Sequence, residues 1–244
     1  MKTLRILSMA ALALTLPGIL SFGQDITDFR VLLTSDGTGV VITRYTGTET
    51  HVKIPAELEG FPVKEIAKDV FGGGAIKSAL GSKTGITGVE LPPALLKIGE
   101  GAFANSGISS ITIPDSVIVI GKGAFKGSAL VSVTLGKGVV SLAESAFSGC
   151  KSLKTVTFAE GLTEISSAAF LSCDALEELN FPSTIRKIGS SAFSLCGSLH
   201  TVRIPDSVEI IEMSGGLLAP FKGCSKMNLA SQAALKRRGY MGTF

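Results

Sequence analysis

The segment SSITIPDSVIVIGKGAF, residues 109–125, decides the fold because the chain repeats it with small changes along most of its length. Two markers identify a copy: an Ala-Phe pair, and an Ile or Leu five residues before the Phe. The phenylalanines that carry both markers lie 22 or 23 residues apart, at Phe103, Phe125, Phe147, Phe170 and Phe193. A fixed period of this length predicts a solenoid, in which each repeat forms one coil and packs against its neighbours.

Each copy contains a short segment in which apolar and polar residues alternate. In the copy around Phe147, Val133 and Leu135 point to one side, whereas Ser132 and Thr134 point to the other. Alternation with a period of two is typical of a half-buried strand. One copy buries a single apolar edge, so we expect about six to seven stacked coils to share one continuous core.

Two copies, IPDSVIVIGKGAF (113–125) and FPSTIRKIGSSAF (181–193), closely resemble the BspA-like, or treponemal-type, leucine-rich repeats. The resemblance covers about residues 52–224. Residues 29–47 also resemble the N-terminal hairpin of that family, and residues 228–240 its C-terminal helix. The resemblance implies an α/β, β-rich solenoid: a leucine-rich repeat array with an N-terminal β-hairpin cap and a C-terminal helical cap.

The N-terminus has the three parts of a secretory signal peptide. Lys2 and Arg5 form a basic start, residues 6–20 are apolar, and small residues precede Gln24. A membrane anchor is the competing interpretation, but the run is shorter than the ~20 residues of a span and contains Pro17. The predicted organisation is a signal peptide at 1–23, a capping hairpin at 24–51, the solenoid at 52–227, and a capping helix and tail at 228–244.

Local sequence signals support both caps. Asp36-Gly37 lies between two alternating runs, as in a hairpin turn. Asn228 suits a helix N-cap and Gly239 the C′ position. We expect external loops at residues 72–85 and 213–220, which interrupt the repeat. The predicted apolar face of the helix consists of Leu229, Ala233 and Ala234.

The cysteines follow the repeat, each three residues after a marker Phe: Cys150, Cys173, Cys196 and Cys224. Earlier copies have Ser106 and Ser128 there, so the position takes a small residue that tolerates burial. We therefore favour unpaired core thiols, although disulfides between adjacent coils remain an alternative. A zinc site is disfavoured because no CxxC or Cys-His pair occurs.

The composition excludes several classes of function. The formal net charge is +3, with two Tyr and no Trp, which argues against nucleic-acid binding. His51 and His200 are the only histidines and belong to distant copies, at positions interpreted as exposed. Asp115 and Asp206 recur with the repeat, where we expect each to bond the backbone of its own turn. No catalytic group or cofactor is predicted, so the chain is interpreted as non-enzymatic.

The outward positions of the strands form the only large ordered surface that the sequence predicts. The C-terminal third of this surface supplies the candidate partner-binding residues: Thr155, Thr157, Glu178, Asn180, Thr201 and Arg203. The family resemblance implies a protein partner, through adhesion, host extracellular-matrix binding or coaggregation with another cell-surface protein. We expect an exported protein, secreted or on the cell surface, without a membrane span after signal cleavage. The alternative is a structural or periplasmic envelope component with no host-binding role.

Overall fold

The computed structural model describes residues 26–73, 85–213 and 219–244. The predicted signal peptide and most of the two predicted loops therefore lie outside the described residues. The described chain begins with a 3-10 turn, Ile26–Asp28, and an antiparallel hairpin of β1 (Phe29–Leu33) and β2 (Val40–Tyr45). This hairpin contains the turn predicted at Asp36-Gly37.

The hairpin turn is held by the Asp36 carboxylate. It accepts hydrogen bonds from the Thr34 hydroxyl and from the backbone N–H and hydroxyl of Thr38. These bonds, that of Thr34 first, lower the pKa of Asp36 well below its ordinary value. Gly37 takes a φ of 68°, a conformation that glycine adopts without strain.

Seven parallel three-residue strands form a first ladder along the solenoid. These strands are β3 (His51–Lys53), β6 (Gly88–Glu90), β8 (Ser110–Thr112), β10 (Ser132–Thr134), β12 (Thr155–Thr157), β14 (Glu178–Asn180) and β16 (Thr201–Arg203). Strands one coil apart lie side by side, and their central residues point into the core. The predicted strand positions and the predicted number of coils are confirmed.

The return segment of each coil forms a second parallel ladder, which the sequence indicated only as apolar residues turning back to the interior. It continues from β2 through β5 (Phe61–Ile66), which is also paired with the short β4 (Glu57–Leu58). The following strands are β7 (Lys97–Ile98), β9 (Val119–Ile120), β11 (Ser141–Leu142), β13 (Glu164–Ile165), β15 (Lys187–Ile188) and β17 (Ile210–Ile211). The described part of the chain therefore has two strand-lined surfaces.

A column of aromatic rings runs through the core between the two ladders. Seven phenylalanines stack face to face with centroids 5.1–5.4 Å apart: Phe71, Phe103, Phe125, Phe147, Phe170, Phe193 and Phe221. Tyr45 extends the column at the N-terminal end, and Tyr240 packs edge-on against Phe221 at the other. The predicted stacking of the Ala-Phe pairs is confirmed, and each buried ring contributes about 1.5–3 kcal/mol through burial.

The C-terminal helix α1 (Leu229–Arg237) packs against β16 at the last coil. Asn228 is the N-cap, as predicted, because its side chain accepts the N–H of Ser231 at 2.9 Å. The Ser231 hydroxyl in turn accepts the N–H of Val202, an edge donor of β16, at 2.9 Å. Gly239 follows the helix with a φ of 88°, the conformation expected at C′.

The prediction that Leu229, Ala233 and Ala234 form the buried face of this helix is wrong. Leu229 is 82% exposed, whereas Ser231 and Leu235 are the buried helical residues. These two residues are four positions apart and share one face, and that face docks on the coil because Ser231 completes the strand edge. Because the docked face contains the polar Ser231, the periodicity of apolar residues does not mark it. The prediction from that periodicity therefore chose the side of the helix that carries Leu229.

Candidate functional site

The outward side chains of the first ladder form two columns, which we call the first-ladder face. Strand register aligns the first column as His51, Gly88, Ser110, Ser132, Thr155, Glu178 and Thr201. It aligns the second as Lys53, Glu90, Thr112, Thr134, Thr157, Asn180 and Arg203. Parallel pairing keeps each residue beside its equivalent in the next coil, so the sequence alignment and the structural columns agree.

The six predicted partner-binding residues lie together on β12, β14 and β16. Glu178 is in register with Thr201, and Asn180 with Arg203. β12 lies beside β14, which places Thr155 and Thr157 next to the other four. Five of the six are exposed and Thr201 is half-buried.

Contacts within this group hold two of its side chains in place. Arg203 Nη1 donates to Asn180 Oδ1 at 2.6 Å, which orients the guanidinium along the face. Thr201 Oγ1 lies 2.9 Å from His200 Nδ1 and accepts a hydrogen bond from Asn228 Nδ2 at 3.3 Å. Thr201 therefore connects the face to the helix N-cap. His200 is not an exposed strand residue as predicted, since it precedes β16 and is half-buried.

The N-terminal end of the same face carries an ionic group that the sequence did not single out. The Glu90 carboxylate lies 3.6 Å from His51 Nε2 and 3.5 Å from Lys53 Nζ, both from the preceding coil. Glu90 also lines a shallow depression of about 430 Å³ between β6 and β8, with Ser110 and Thr112 on its far side. The ionic group of His51, Lys53 and Glu90 was missed because Glu90 follows the other two by 39 and 37 positions in the sequence.

The recurrent aspartates bond neighbouring elements and not their own turns, contrary to the prediction. Asp115 Oδ1 accepts the backbone N–H of Lys137, in the following coil, at 2.9 Å. Asp206 forms an ion pair with Arg238 at the end of α1. The turn that contains Asp115 faces the next coil, so its carboxylate meets a donor of that coil. Asp115 therefore links two coils, and Asp206 links the last coil to α1.

All four cysteines are free and buried. Desolvation by burial is the main cause that raises the pKa of every one of these thiols, in the case of Cys224 to about 12. A buried thiol with a raised pKa is a poor nucleophile at neutral pH. The cysteine position is therefore a packing position.

The described residues offer hydrogen-bonding and ion-pairing groups on the first-ladder face. Across residues 26–73, 85–213 and 219–244, no cluster of three or more His, Cys, Asp or Glu side chains is arranged to hold a metal ion. In that same part of the chain, no helix has the length and apolar character needed to cross a membrane. The first-ladder face presents hydroxyl, amide and charged groups.

The stacked parallel coils, the outward strand columns and the buried phenylalanine column define a leucine-rich repeat protein. Residues 82–228 match the model of the BspA type leucine-rich repeat region in six copies, and the chain belongs to this family. This family is compatible with a protein-binding role, and its repeat fold is typically a non-enzymatic scaffold.

Two solved structures with TM-scores of 0.50 and 0.51 share the fold. A leucine-rich repeat protein from Bacteroides ovatus is 24% identical with a TM-score of 0.51, over 75% of this chain and 49% of that one. A leucine-rich cell surface protein from Faecalibacterium prausnitzii is 28% identical with a TM-score of 0.50, over 77% of this chain and 43% of that one. The chain thus spans less than half of these two relatives. The T. pallidum leucine-rich repeat protein is 24% identical with a TM-score of 0.38, over 91% and 98%. No curated protein sequence matches the chain.

Proposed function

We propose that this chain is an exported, non-enzymatic protein that binds a macromolecular partner, as an adhesin does, through its first-ladder face. The observation that carries this proposal is the alignment of exposed polar side chains on β12, β14 and β16, next to an Arg203 guanidinium already oriented by Asn180. A side chain held in one orientation loses less conformational entropy when a partner binds. The proposed centre of the site is therefore Arg203 with Glu178.

The chemistry of the face favours a protein partner. Seven strands spaced ~4.8 Å apart give a surface on the order of 30 Å long, comparable with a standard protein interface. Hydroxyl groups line its middle, and the ionic groups lie towards its two ends. Such a face accepts hydrogen bonds from an irregular polar surface, and its Arg203 suits a carboxylate of the partner. We propose host extracellular-matrix protein or another cell-surface protein as that partner.

Surface location is the second part of the proposal. A relative with the same repeat is described as a cell surface protein, and the N-terminal segment has the composition of a signal peptide. Protease treatment of intact cells tests this location. Degradation of the chain supports adhesion, whereas protection supports the alternative of a structural or periplasmic envelope component.

Charge reversal tests the site itself. We compare capture of solubilised extracellular-matrix proteins by the immobilised wild-type chain and by the Glu178→Arg and Arg203→Glu variants. The matched control is Lys126→Glu, an exposed charge on the turn after Phe125. Reversal within the face should weaken capture on the order of tenfold, and the control should bind as wild type. Equal capture by all four proteins would place the site elsewhere.

A further inference from the structure

The second ladder also presents an outward column, which we call the second-ladder face. In strand register it reads Val41, Glu65, Lys97, Val119, Ser141, Glu164, Lys187 and Ile210. Val119 and Ser141 are aligned by their equivalent places before the buried Ile120 and Leu142, on adjacent strands. This column is a surface distinct from the first-ladder face, which is proposed to bind a partner. Its own pattern of charge bears on whether the chain associates with itself.

Charges in the column occur as two ion pairs, one in each half. Lys97 Nζ lies 3.3 Å from Glu65 Oε2 in the N-terminal half. Lys187 Nζ lies 3.2 Å from Glu164 Oε1 in the C-terminal half, and 2.8 Å from Glu212 Oε1 beside the column. Both halves place the acid before the base along the chain. Between the two pairs the column is uncharged, at Val119 and Ser141.

The order of charges along the column is complementary to the same column read in the opposite direction. A two-fold axis that lies in the interface, parallel to the strands and between β9 and β11, relates the two copies. This rotation reverses the coil order of the second copy and places its column against that of the first. The residues then opposed are Lys97 with Glu164, Glu65 with Lys187, Val119 with Ser141, and Val41 with Ile210. Within this column every charge meets an opposite charge, and the apolar ends meet each other. We propose that two copies of this chain dimerise in this antiparallel arrangement through the second-ladder face.

Exposed apolar side chains lie at the centre of the proposed contact. Ile118 is 57% exposed and Val140 is 52% exposed, and they occupy equivalent positions on the two sides of the axis. They therefore face each other in the antiparallel dimer. The strand pairing of the second ladder is also interrupted here, because one sheet ends at β9 and the next begins at β11. An apolar centre with charged surroundings is the usual anatomy of a protein interface.

The charge pattern distinguishes this arrangement from the parallel one. If both copies ran in the same direction, Lys97 would oppose Lys97 and Glu164 would oppose Glu164. Like charges that face each other across an interface oppose association. The antiparallel dimer also leaves the first-ladder face uncovered, so each dimer would present two partner-binding faces in opposite orientation. The dimer does not depend on the proposed function, since the two surfaces have no residue in common.

Complementation by mixing tests the proposal directly. In its homodimer the Lys97→Glu variant should place the introduced carboxylate against Glu164 twice, and Glu164→Lys should place two lysines together twice. In a mixed dimer of the two variants, both contacts unite opposite charges again. Sedimentation equilibrium of the purified chain should give a dimer for the wild type. Each variant alone should associate at least about tenfold more weakly, and an equimolar mixture should recover wild-type association.

Two controls make the outcome decisive. Thermal unfolding checks that each variant folds, since loss of one partly exposed ion pair should change the unfolding temperature little. Arg203→Glu, on the first-ladder face, should dimerise as the wild type does. A wild-type chain that stays monomeric up to millimolar concentration overturns the proposal. So does association that Lys97→Glu leaves unchanged, or a mixture no more associated than its components.

Discussion

Cys150 Sγ donates a hydrogen bond to the carbonyl oxygen of Phe125, 3.1 Å away in the preceding coil. The same bond recurs at 3.3 Å from Cys173 to Phe147, from Cys196 to Phe170, and from Cys224 to Phe193. A row of thiols therefore ties each of these coils to the one before it. The bond requires the proton, because a thiolate has no hydrogen to donate to a carbonyl oxygen.

This row of thiols predicts that the protein loses stability in alkali. Burial raises the pKa of all four thiols, whereas in the unfolded chain they ionise near the ordinary value of 9.0. Their contribution is thus fully present below pH 9 and is lost as the pH rises towards the folded-state pKa values. Above pH 9 the unfolded chain binds fewer protons than the folded one. The free energy of unfolding should then fall by up to about 1.4 kcal/mol per pH unit for each thiol.

Denaturant unfolding at pH 7, 8, 9, 10 and 11 measures this slope. Tyr240, whose pKa burial raises to about 12, adds to it in the same direction. The matched variant is Cys173→Ser, because serine does not titrate in this range and the repeat already places serine at this position in two coils. Its slope should be shallower than that of the wild type. A stability that stays level from pH 8 to pH 11 contradicts the argument.

The repeat made much of the fold predictable from the sequence. The spacing of Phe103, Phe125 and Phe147 located the coils, and alternation located the first ladder. The second ladder was not predicted as strands, because two-residue strands such as Lys97–Ile98 are too short to show a period. Tyr45 and Tyr240 join the aromatic column without the Ala-Phe marker, so no sequence pattern indicated their role.

The columns of the first-ladder face followed directly from the sequence, since parallel register preserves alignment. Contacts between columns did not follow. The bond from Arg203 to Asn180 and the contacts of Glu90 with His51 and Lys53 depend on rotamers and on distances across coils. Asp115 was expected to bond its own turn, but the next coil offers the nearer donor. Side-chain direction is set by packing, which a repeat pattern does not contain.

A second prediction concerns the first members of the cysteine position. Ser106 Oγ is buried without a hydrogen-bond partner among the described residues, whereas Ser128 Oγ lies 3.3 Å from Cys150 Sγ. An unsatisfied buried hydroxyl destabilises the folded state, and replacing it with a methyl group removes that penalty. Ser106→Ala should therefore raise the free energy of unfolding by about 1 kcal/mol. Ser128→Ala should lower it by about 1 kcal/mol, because it breaks a hydrogen bond that is made.

Urea unfolding of both variants and the wild type decides this prediction. The two serines occupy the same place in successive coils and are buried alike, so the Ser128→Ala variant controls for loss of the hydroxyl as such. Equal destabilisation by the two substitutions would mean that Ser106 has a bonding partner in solution.

The third prediction concerns backbone strain in the turn after each stacked Phe. The residue two positions after Phe has a positive φ in successive coils, 72° at Gly149 and 57° at Ser172. A residue with a Cβ atom is disfavoured in this conformation by about 1–2 kcal/mol, and glycine is not. Ser172→Gly should therefore stabilise the protein by about 1 kcal/mol, and Gly149→Ala should destabilise it by a similar amount.

The reciprocal pair separates backbone strain from side-chain packing. A Cβ atom at Gly149 would approach no atom closer than 3.8 Å, so the cost of Gly149→Ala is conformational and not a clash. Thermal unfolding of the two variants should shift in opposite directions from the wild type. If Ser172→Gly instead lowers the unfolding temperature, the flexibility that glycine adds to the unfolded chain outweighs the strain that it relieves. In that case serine at this turn position would give a more stable protein than glycine. Relief of backbone strain would then not explain why glycine occupies the position in other coils.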